Sequence, residues 1–292
     1  MSLPSLLGFI CDHPINRQRK AAALLDFARW QVRCRLTRQP VVYRWINGTQ
    51  VVVRRGDAGF TCNIYCGLHD FAEMGYLLHV LRAGDLFVDV GANIGAYTLL
   101  ASSVRRARSV CFEPVPETFS RLEENLRLNH LGELVTAHNL GVGENPGLIR
   151  FSLDQNCGNR VLRDDEPEEG VAVKVVTLDE VLAGASPHLM KIDVEGFELP
   201  VLRGAEEILQ RPELHSIILE LIHMGDRYGY RDEDILALLE RHGFAPYGYD
   251  PFARKLIPRV PSSYNVIFVR DVARVEALVR SAESVQVKSV RL

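Results

Sequence analysis

Asp89, Gly91 and Gly95 lie close together in the sequence, and Glu113 follows 24 positions after Asp89. Residues 87–90, which are apolar apart from Asp89, predict a buried parallel strand, because strands that are covered on both faces are mainly apolar. A glycine-bearing turn and a helix would follow, so that backbone N–H groups and the helix dipole face a ligand. An acid about 20 residues after such a turn typically binds ribose hydroxyls. The spacing therefore predicts a bound nucleoside.

Two departures from the dinucleotide-binding fingerprint narrow the choice of nucleoside. That fingerprint requires three glycines, and here Asn93 and Ala96 occupy the second and third positions. Asp89, two residues before the first glycine, would repel a pyrophosphate but suits a ligand that carries an ammonium and a sulfonium group. We therefore predict S-adenosylmethionine as the cofactor. An NAD(P)-dependent oxidoreductase and a non-catalytic nucleoside-binding protein of the same fold are the alternatives.

Strands and helices alternate from residue 85 onward, as expected for a doubly wound α/β fold. Helical spacing of apolar residues predicts helices between most of the strands. One such helix would carry Leu199, Leu202, Ala205 and Leu209 on one face. Residues 147–176 interrupt this alternation and predict a β-rich insertion with an acidic loop at 164–169. We thus expect a main domain at 81–271 and a C-terminal tail at 272–292. Apolar runs predict strands at 87–90, 109–112, 134–138, 188–192, 215–221 and 264–269.

Residues 1–80 differ in composition from the rest of the chain and predict an N-terminal cap. The pattern indicates a helix at 21–36 and a β-hairpin whose turn is the Asn-Gly pair at 47–48. Between residues 15 and 55 the sequence has ten bases and one acid. One interpretation is a solvated basic face packed on the main domain. The other is that residues 17–55 contact an anionic substrate or an anionic membrane surface.

Composition indicates an ordinary globular protein, with 47% hydrophobic and 24% charged residues in 292. The formal net charge of −3 argues against a nucleic-acid partner bound by overall electrostatics. The six cysteines lack the spacing of a zinc knuckle or a redox motif, which favours reduced thiols. We find no signal peptide and no apolar run approaching the roughly 20 residues that span a bilayer. We therefore expect a cytoplasmic protein.

Five separated sequence blocks carry a further signal: residues 87–98, 112–116, 125–129, 176–179 and 190–198. Together they resemble the FkbM-type S-adenosylmethionine-dependent methyltransferases. The resemblance extends over about residues 60–270. It implies a Rossmann-like, doubly wound and mainly parallel sheet whose last strand is antiparallel. It also implies methyl transfer to a hydroxyl of a small-molecule or glycan acceptor, such as a carbohydrate, a glycolipid or a secondary metabolite.

The same resemblance implies roles for individual residues at the cofactor. The glycine-bearing loop would wrap the methionine part, with Asp89 near its amino group. Glu113 would bind the ribose hydroxyls, and Asn139, at the end of the third strand, would contact the adenine. His69 and Asp70 precede the first strand and could cap the site. The predicted cofactor-binding residues are Asp89, Gly91, Asn93, Gly95, Glu113 and Asn139.

A hydroxyl acceptor must lose a proton, so the reaction requires a general base. By resemblance, Asp193 lies at the carboxyl end of the fourth strand beside the transferable methyl group, and it is the first choice. Glu195 follows on the turn into a helix. Glu220 and His223 close the fifth strand and could line the acceptor pocket, and histidine is a common base near neutral pH. We predict Asp193, Glu195 and His223 as catalytic residues and no metal, although Asp193, Glu195 and Glu198 could hold a cation.

Overall fold

The N-terminal segment forms helices and a β-hairpin in the computed structural model. The structure describes residues 2–37, 39–153, 158–163, 165–167, 169–221, 223–258 and 265–292, and of residue 58 it describes only the backbone. Asn47 and Gly48 both have positive φ angles, 48° and 81°, a conformation that Asn and Gly tolerate best. The predicted helix, hairpin and turn are therefore confirmed. The elements are α1 (Leu3–Asp12), α2 (Lys20–Leu36), β1 (Val41–Arg44), β2 (Gln50–Val53), α3 (Ala58–Cys66) and α4 (Phe71–Val80).

The rest of the chain alternates strands and helices. The strands are β3 (Leu86–Val90), β4 (Arg108–Phe112), β5 (Val135–His138), β6 (Gly141–Val142), β7 (Gly147–Ser152), β8 (Val161–Leu162), β9 (Gly170–Val176), β10 (Leu189–Ile192), β11 (Ser216–Glu220), β12 (Ala245–Asp250), β13 (Lys255–Pro258), β14 (Asn265–Val269), β15 (Gln286–Val287) and β16 (Val290–Arg291). The helices are α5 (Ala96–Leu99), α6 (Pro116–Leu128), α7 (Leu178–Val181), α8 (Glu198–Arg203), α9 (Glu206–Gln210), α10 (Asp232–Arg241) and α11 (Val272–Arg280).

The central sheet has the strand order β13-β12-β14-β11-β10-β3-β4-β5. Strands β5, β4, β3, β10 and β11 are parallel to their neighbours in this series, whereas β14 is antiparallel to both β11 and β12. The predicted doubly wound, mainly parallel sheet with an antiparallel last strand is confirmed. The strand predicted at 264–269 begins at Asn265, and residue 264 lies outside the described residues.

The strand order reverses next to β3. From β3 the chain continues through β4 and β5 on one side, and later through β10 and β11 on the other. Open α/β sheets bind ligands beyond the carboxyl ends of the strands at such a point. Gly91, Glu113 and Asp193 directly follow β3, β4 and β10, so the topology brings these predicted site residues to one edge of the sheet.

A second, smaller sheet with the order β6-β9-β7-β8 occupies the region of the predicted β-rich insertion. In the acidic loop, Asp165 and Glu166 lie near the Arg163 side chain, at 2.9 and 3.4 Å. Residues 164 and 168 of that loop lie outside the described residues. N-terminal residues such as Trp30 share one hydrophobic cluster with Phe87 of the central sheet, so the hydrophobic core does not separate the N-terminal segment from the main domain. The domain boundaries at residues 80 and 271 therefore stay predictions.

The C-terminal residues pack on the N-terminal segment. Strands β15 and β16 pair with each other, and Val287 is fully buried. A Cβ added at Gly67 would lie 2.7 Å from a methyl group of Val287, so the two segments touch closely. The Lys288 ammonium donates hydrogen bonds to the Asp26 carboxylate (3.0 Å) and to the Ile64 carbonyl (2.6 Å). The predicted tail therefore forms a helix, α11, and a short hairpin, β15–β16, and the hairpin packs against the N-terminal segment.

Candidate active site

A cavity of about 270 Å³ opens at the carboxyl ends of β3, β4, β10 and β11. The loops after these strands form most of its wall, and residues of α3 and of the small sheet complete it. Gly95, Asn139 and His223 are not among the lining residues in the described part of the chain. The predicted site residues that the cavity brings together are Asp89, Gly91, Asn93, Glu113, Asp193 and Glu195.

The loop after β3 requires its glycines for two different reasons. Gly91 has a φ of +83°, and a Cβ added there would lie only 1.9 Å from the carbonyl oxygen of Asp193. The loops after β3 and β10 can therefore touch only because this residue has no side chain. Gly95 has a φ of +95° at the start of α5, where an added Cβ would meet Leu122 at 2.6 Å. Asn93 between them also has a positive φ, 51°.

The Asp89 carboxylate is buried at the base of the cavity. Its Oδ2 atom accepts hydrogen bonds from the backbone N–H (3.1 Å) and the hydroxyl (2.6 Å) of Thr98, which fixes the start of α5. Burial raises the pKa of Asp89, against the effect of the nearby Lys191 ammonium. Its Oδ1 atom is buried and has no hydrogen-bond partner among the described residues. A buried carboxylate oxygen of this kind suits a cationic donor such as an ammonium group.

Glu113 organises the loops on both sides of the cavity. Its Oε2 atom accepts a hydrogen bond from the Asn93 N–H (2.9 Å), and its Oε1 atom accepts one from the Val115 N–H (3.0 Å). Burial raises the pKa of Glu113 to about 7, although these two amides act in the opposite direction. Each carboxylate oxygen has a second lone pair, so the side chain could still accept hydrogen bonds from ribose hydroxyls.

Three acidic side chains, which we call the carboxylate cluster, lie close together at the carboxyl ends of β10 and β11: Asp193, Glu195 and Glu220. Their oxygen atoms lie within 4.8 Å of one another, an arrangement that could hold a divalent cation. Burial and the charge of Asp193 raise the pKa of Glu195 to about 7. Burial and the charges of Asp193 and Glu195 raise the pKa of Glu220 to about 10. Glu220 therefore carries a proton at neutral pH, and the expectation of no metal stays a prediction.

Lys191 supplies a buried positive charge beside the carboxylate cluster. Its Nζ atom lies 2.6 Å from Asp193 Oδ2 and 4.7 Å from the centre of the Tyr97 ring, and the residue is 4% exposed. Burial lowers the pKa of the ammonium, but the carboxylates of Asp193 and Asp89 raise it more, so that the net shift is upward. Lys191 was not among the site residues predicted from the sequence. The available signal was period-two alternation, which places residues 191 and 193 on one face of a strand.

The N-terminal segment closes one side of the cavity. Phe60 of α3 lines it, together with His69 and Asp70, which the sequence predicted as a cap. Asp70 Oδ2 accepts a hydrogen bond from the Tyr97 hydroxyl (2.9 Å), and its Oδ1 lies 3.5 Å from His69 Nδ1. The cap is thereby linked to α5, the helix that follows the glycine-bearing loop.

His223 does not lie in this cavity, so the structure does not bring it together with the other predicted catalytic residues, and its catalytic role stays a prediction. Strand β11 ends at Glu220, so the chain has left the sheet before it reaches residue 223. The His223 side chain is 85% exposed, and its Nδ1 atom lies 2.8 Å from Asp232 Oδ2 in a separate surface depression. Residue 222 of the predicted strand lies outside the described residues.

Asn139 and Glu198 have structural contacts outside the cavity. The Asn139 amide donates to the carbonyls of Glu113 (2.8 Å) and Pro114 (3.0 Å), so it connects the ends of β5 and β4. Its predicted contact with adenine stays a prediction. Glu198 is buried and accepts hydrogen bonds from the N–H groups of Gly196 (3.0 Å) and Val194 (3.4 Å), which stabilises the turn into α8.

Comparisons with known proteins agree with the resemblance seen in the sequence. The chain is 32% identical over 152 residues to the hexuronic acid methyltransferase AglP of Haloferax volcanii, which covers 51% of this chain and 60% of that protein. It is 29% identical over 236 residues to the 31-O-demethyl-FK506 methyltransferase FkbM of Streptomyces tacrolimicus, covering 68% of this chain and 86% of that protein. The chain thus spans about 60% of the Haloferax relative and 58% of the methyltransferase 1 of Beauveria bassiana.

Among solved structures, the methyltransferase FkbM of Methylobacillus flagellatus KT is 20% identical to this chain. The match has a TM-score of 0.45 and covers 64% of this chain and 44% of that one. Residues 89–246, more than half of the 292 residues, match the family described as the methyltransferase FkbM domain. The matched residues contain the glycine-bearing loop, Glu113 and the carboxylate cluster. The chain therefore belongs to the FkbM methyltransferase domain family.

Proposed function

We propose that this protein transfers a methyl group from S-adenosylmethionine to a hydroxyl of a carbohydrate, glycolipid or secondary metabolite. The observation that carries the proposal is the acidic cavity at the point where the strand order reverses. Six carboxyl side chains line it, and Lys191 is the one Lys or Arg among the described lining residues. The names of two relatives, a hexuronic acid methyltransferase and a 31-O-demethyl-FK506 methyltransferase, support a hydroxyl acceptor on a small molecule or glycan.

The charge of the cavity fits the proposed cofactor. S-adenosylmethionine carries an ammonium, a sulfonium and a carboxylate, and its net positive charge suits a site lined by acidic side chains. The same acidic site would repel a pyrophosphate. The buried Oδ1 atom of Asp89 would accept a hydrogen bond from the ammonium, and Glu113 would accept from the ribose hydroxyls. When bound, S-adenosylmethionine supplies a methyl group already activated by its sulfonium. The protein then has to bind, orient and deprotonate the acceptor.

Within the carboxylate cluster we assign the proton transfer to Glu195. Asp193, the first choice from sequence, is paired with the Lys191 ammonium at 2.6 Å, which weakens it as a base. Glu220 is protonated at neutral pH and shares a hydrogen bond with Asp193. Glu195 lines the cavity and has a pKa of about 7, near the value that favours a base at neutral pH. Glu195 therefore takes the hydroxyl proton, while Asp193 and Lys191 hold the cluster in place.

The position of Glu195 also reflects a constrained backbone. Its φ is 55°, and that of the following Gly196 is 95°, so that two successive residues adopt the left-handed conformation. A glutamate in this region has an energetic cost of about 1–2 kcal/mol. Such costs are concentrated at functional sites, where they hold a side chain in the required direction.

Two measurements test the proposal. Calorimetry with S-adenosylhomocysteine and with NAD compares the two cofactor classes, and we expect binding of the first and none of the second. Transfer of a radiolabelled methyl group to uronic-acid glycans and to lipid extracts then tests the acceptor. NAD binding without S-adenosylhomocysteine binding would favour the oxidoreductase alternative. Cofactor binding without transfer to any hydroxyl acceptor would favour a non-catalytic nucleoside-binding protein.

A further inference from the structure

Helix α2 presents a stripe of apolar side chains to solvent. Four exposed apolar residues follow one another at intervals of three or four positions, so they share one face of the helix. They are Leu25, Ala28, Val32 and Leu36. The exposed fractions are 48% for Leu25, 52% for Val32 and 83% for Leu36. Isolated exposed apolar residues are common, but a contiguous row along one helix indicates a surface that binds something.

The opposite face of α2 is packed against the protein, so the stripe cannot turn inward. Ala23 and Trp30 are buried, and the Trp30 ring makes an edge contact with the Tyr43 ring at 6.4 Å. The Gln31 side chain donates a hydrogen bond to the Tyr65 hydroxyl at 3.0 Å. The orientation of the helix is therefore fixed by its own core contacts.

Arginines flank the apolar stripe on both sides. Arg29 and Arg33 lie along one side of it and Arg35 along the other, and all three are exposed. Within the described part of the chain, none of the three forms an ion pair, whereas Arg19 is paired with Asp26 at 2.9 Å. Leu25, Val32 and Leu36 share a shallow surface hollow with Arg29 and Arg33.

We infer that this face of α2 docks on the surface of an anionic lipid bilayer. An apolar stripe bordered by bases matches the interface between acyl chains and acidic headgroups, where both parts find partners. A nucleic acid would pair with the arginines but leave the leucines in water. An isologous dimer through this face would bring like charges together. No described helix is long and apolar enough to cross a membrane, so contact would be made at the surface.

The test is cosedimentation of the full chain with lipid vesicles in 0.1 M NaCl. We expect binding to phosphatidylcholine vesicles that contain 30% phosphatidylglycerol, weak binding to pure phosphatidylcholine, and release in 0.5 M NaCl. Each base near an anionic surface contributes about 1 kcal/mol, so Arg29→Gln with Arg33→Gln should weaken binding about thirty-fold. Val32→Ser with Leu36→Ser should weaken it by about tenfold or more.

Matched controls change the same residue types elsewhere. Arg127→Gln with Arg241→Gln removes two exposed charges, and Leu148→Ser with Ile257→Ser removes two exposed apolar side chains. We expect both controls to bind vesicles like the unchanged protein and all variants to melt at similar temperatures.

Three results would overturn the inference, and none depends on the methyl acceptor. The first is no binding of the unchanged chain to anionic vesicles. The second is equal binding by the α2 variants and the controls. The third is an oligomer in analytical ultracentrifugation that Val32→Ser with Leu36→Ser dissociates while vesicle binding is unaltered, which would identify a second copy as the occupant.

Discussion

Replacing Lys191 by methionine should destabilise the protein by about 3 kcal/mol at pH 8. The ammonium is buried and lies 2.6 Å from Asp193, so its removal leaves acidic groups without their partner. Breaking a buried ion pair costs about 3–5 kcal/mol. We expect the lower end of this range because the Asp193 side chain is 33% exposed and can be solvated. Urea unfolding measures the loss.

The pH dependence of this loss has a definite sign. The pKa of Lys191 is raised in the folded protein, so its contribution is fully present below the unfolded pKa and disappears as the pH rises through the folded value. At acidic pH the carboxylates left by Lys191→Met can take protons instead. The difference from the unchanged protein should therefore be smaller at pH 5 than at pH 8.

A double-mutant cycle tests whether the pair itself is responsible. Lys191→Met combined with Asp193→Asn should cost less than the sum of the two single changes, by about 1–2 kcal/mol. Lys174→Met on β9, where the side chain is exposed, is the control and should change stability by no more than about 0.5 kcal/mol. A loss below about 1 kcal/mol for Lys191→Met, or strict additivity in the cycle, would refute the reasoning.

Three further predictions concern the cavity. If Glu195 is the base, activity should rise with pH through about 7. Glu195→Gln should remove this inflection and lower the rate about 10²–10⁴-fold. Glu133→Gln, at an exposed glutamate, is the control and should leave both the pH profile and the rate unchanged. Gly91→Ala should weaken S-adenosylhomocysteine binding at least about tenfold in calorimetry, because its Cβ would collide with the loop after β10, while Gly132→Ala has open space and should bind normally. EDTA should leave methyl transfer unchanged, because the Lys191 ammonium already occupies one oxygen of Asp193.

Each of these expectations has a contrary outcome. An unchanged pH profile in Glu195→Gln would exclude Glu195 as the base. Normal cofactor binding by Gly91→Ala would mean that the loop after β3 does not hold the cofactor. Activity lost in EDTA and restored by Mg²⁺ would make the carboxylate cluster a metal site.

The sequence predicted the central strands and the edge strand β5, but it missed β12 and β13 at the opposite edge of the sheet. Strands β3, β10 and β11 are mostly apolar, although β3 contains Asp89 and β10 contains Lys191, and such runs are easy to recognise. Strand β12 contains Pro246 and Gly248 and is mostly only partly buried, so its pattern does not stand out. The residues Leu199, Leu202, Ala205 and Leu209 indicated one helix, but the chain forms α8 and α9 instead.

Contacts between distant segments explain what sequence reasoning could not supply. A Cβ at Gly204, where the predicted helix is interrupted, would lie 2.1 Å from the Gly143 carbonyl oxygen, 61 positions earlier in the chain. The role of Lys191 depends likewise on strand order, because β10 places it beside Asp89 in the register. His223 was predicted as a catalytic residue because the apolar run of the fifth strand continues beyond Glu220 in the sequence. In the structure the strand ends at Glu220.

The packing of residues 285–292 on the N-terminal segment has a consequence for synthesis of the chain. Lys288 binds the Ile64 carbonyl across 224 positions of sequence. At roughly 5–20 residues per second, a ribosome needs on the order of 10–45 s to span that interval of 224 residues. Throughout this time the segment that carries Phe60, His69 and Asp70 lacks its contacts with residues 285–292. The nascent protein can thus build its central sheet first and complete the wall of its cavity only after residue 288 has been synthesised.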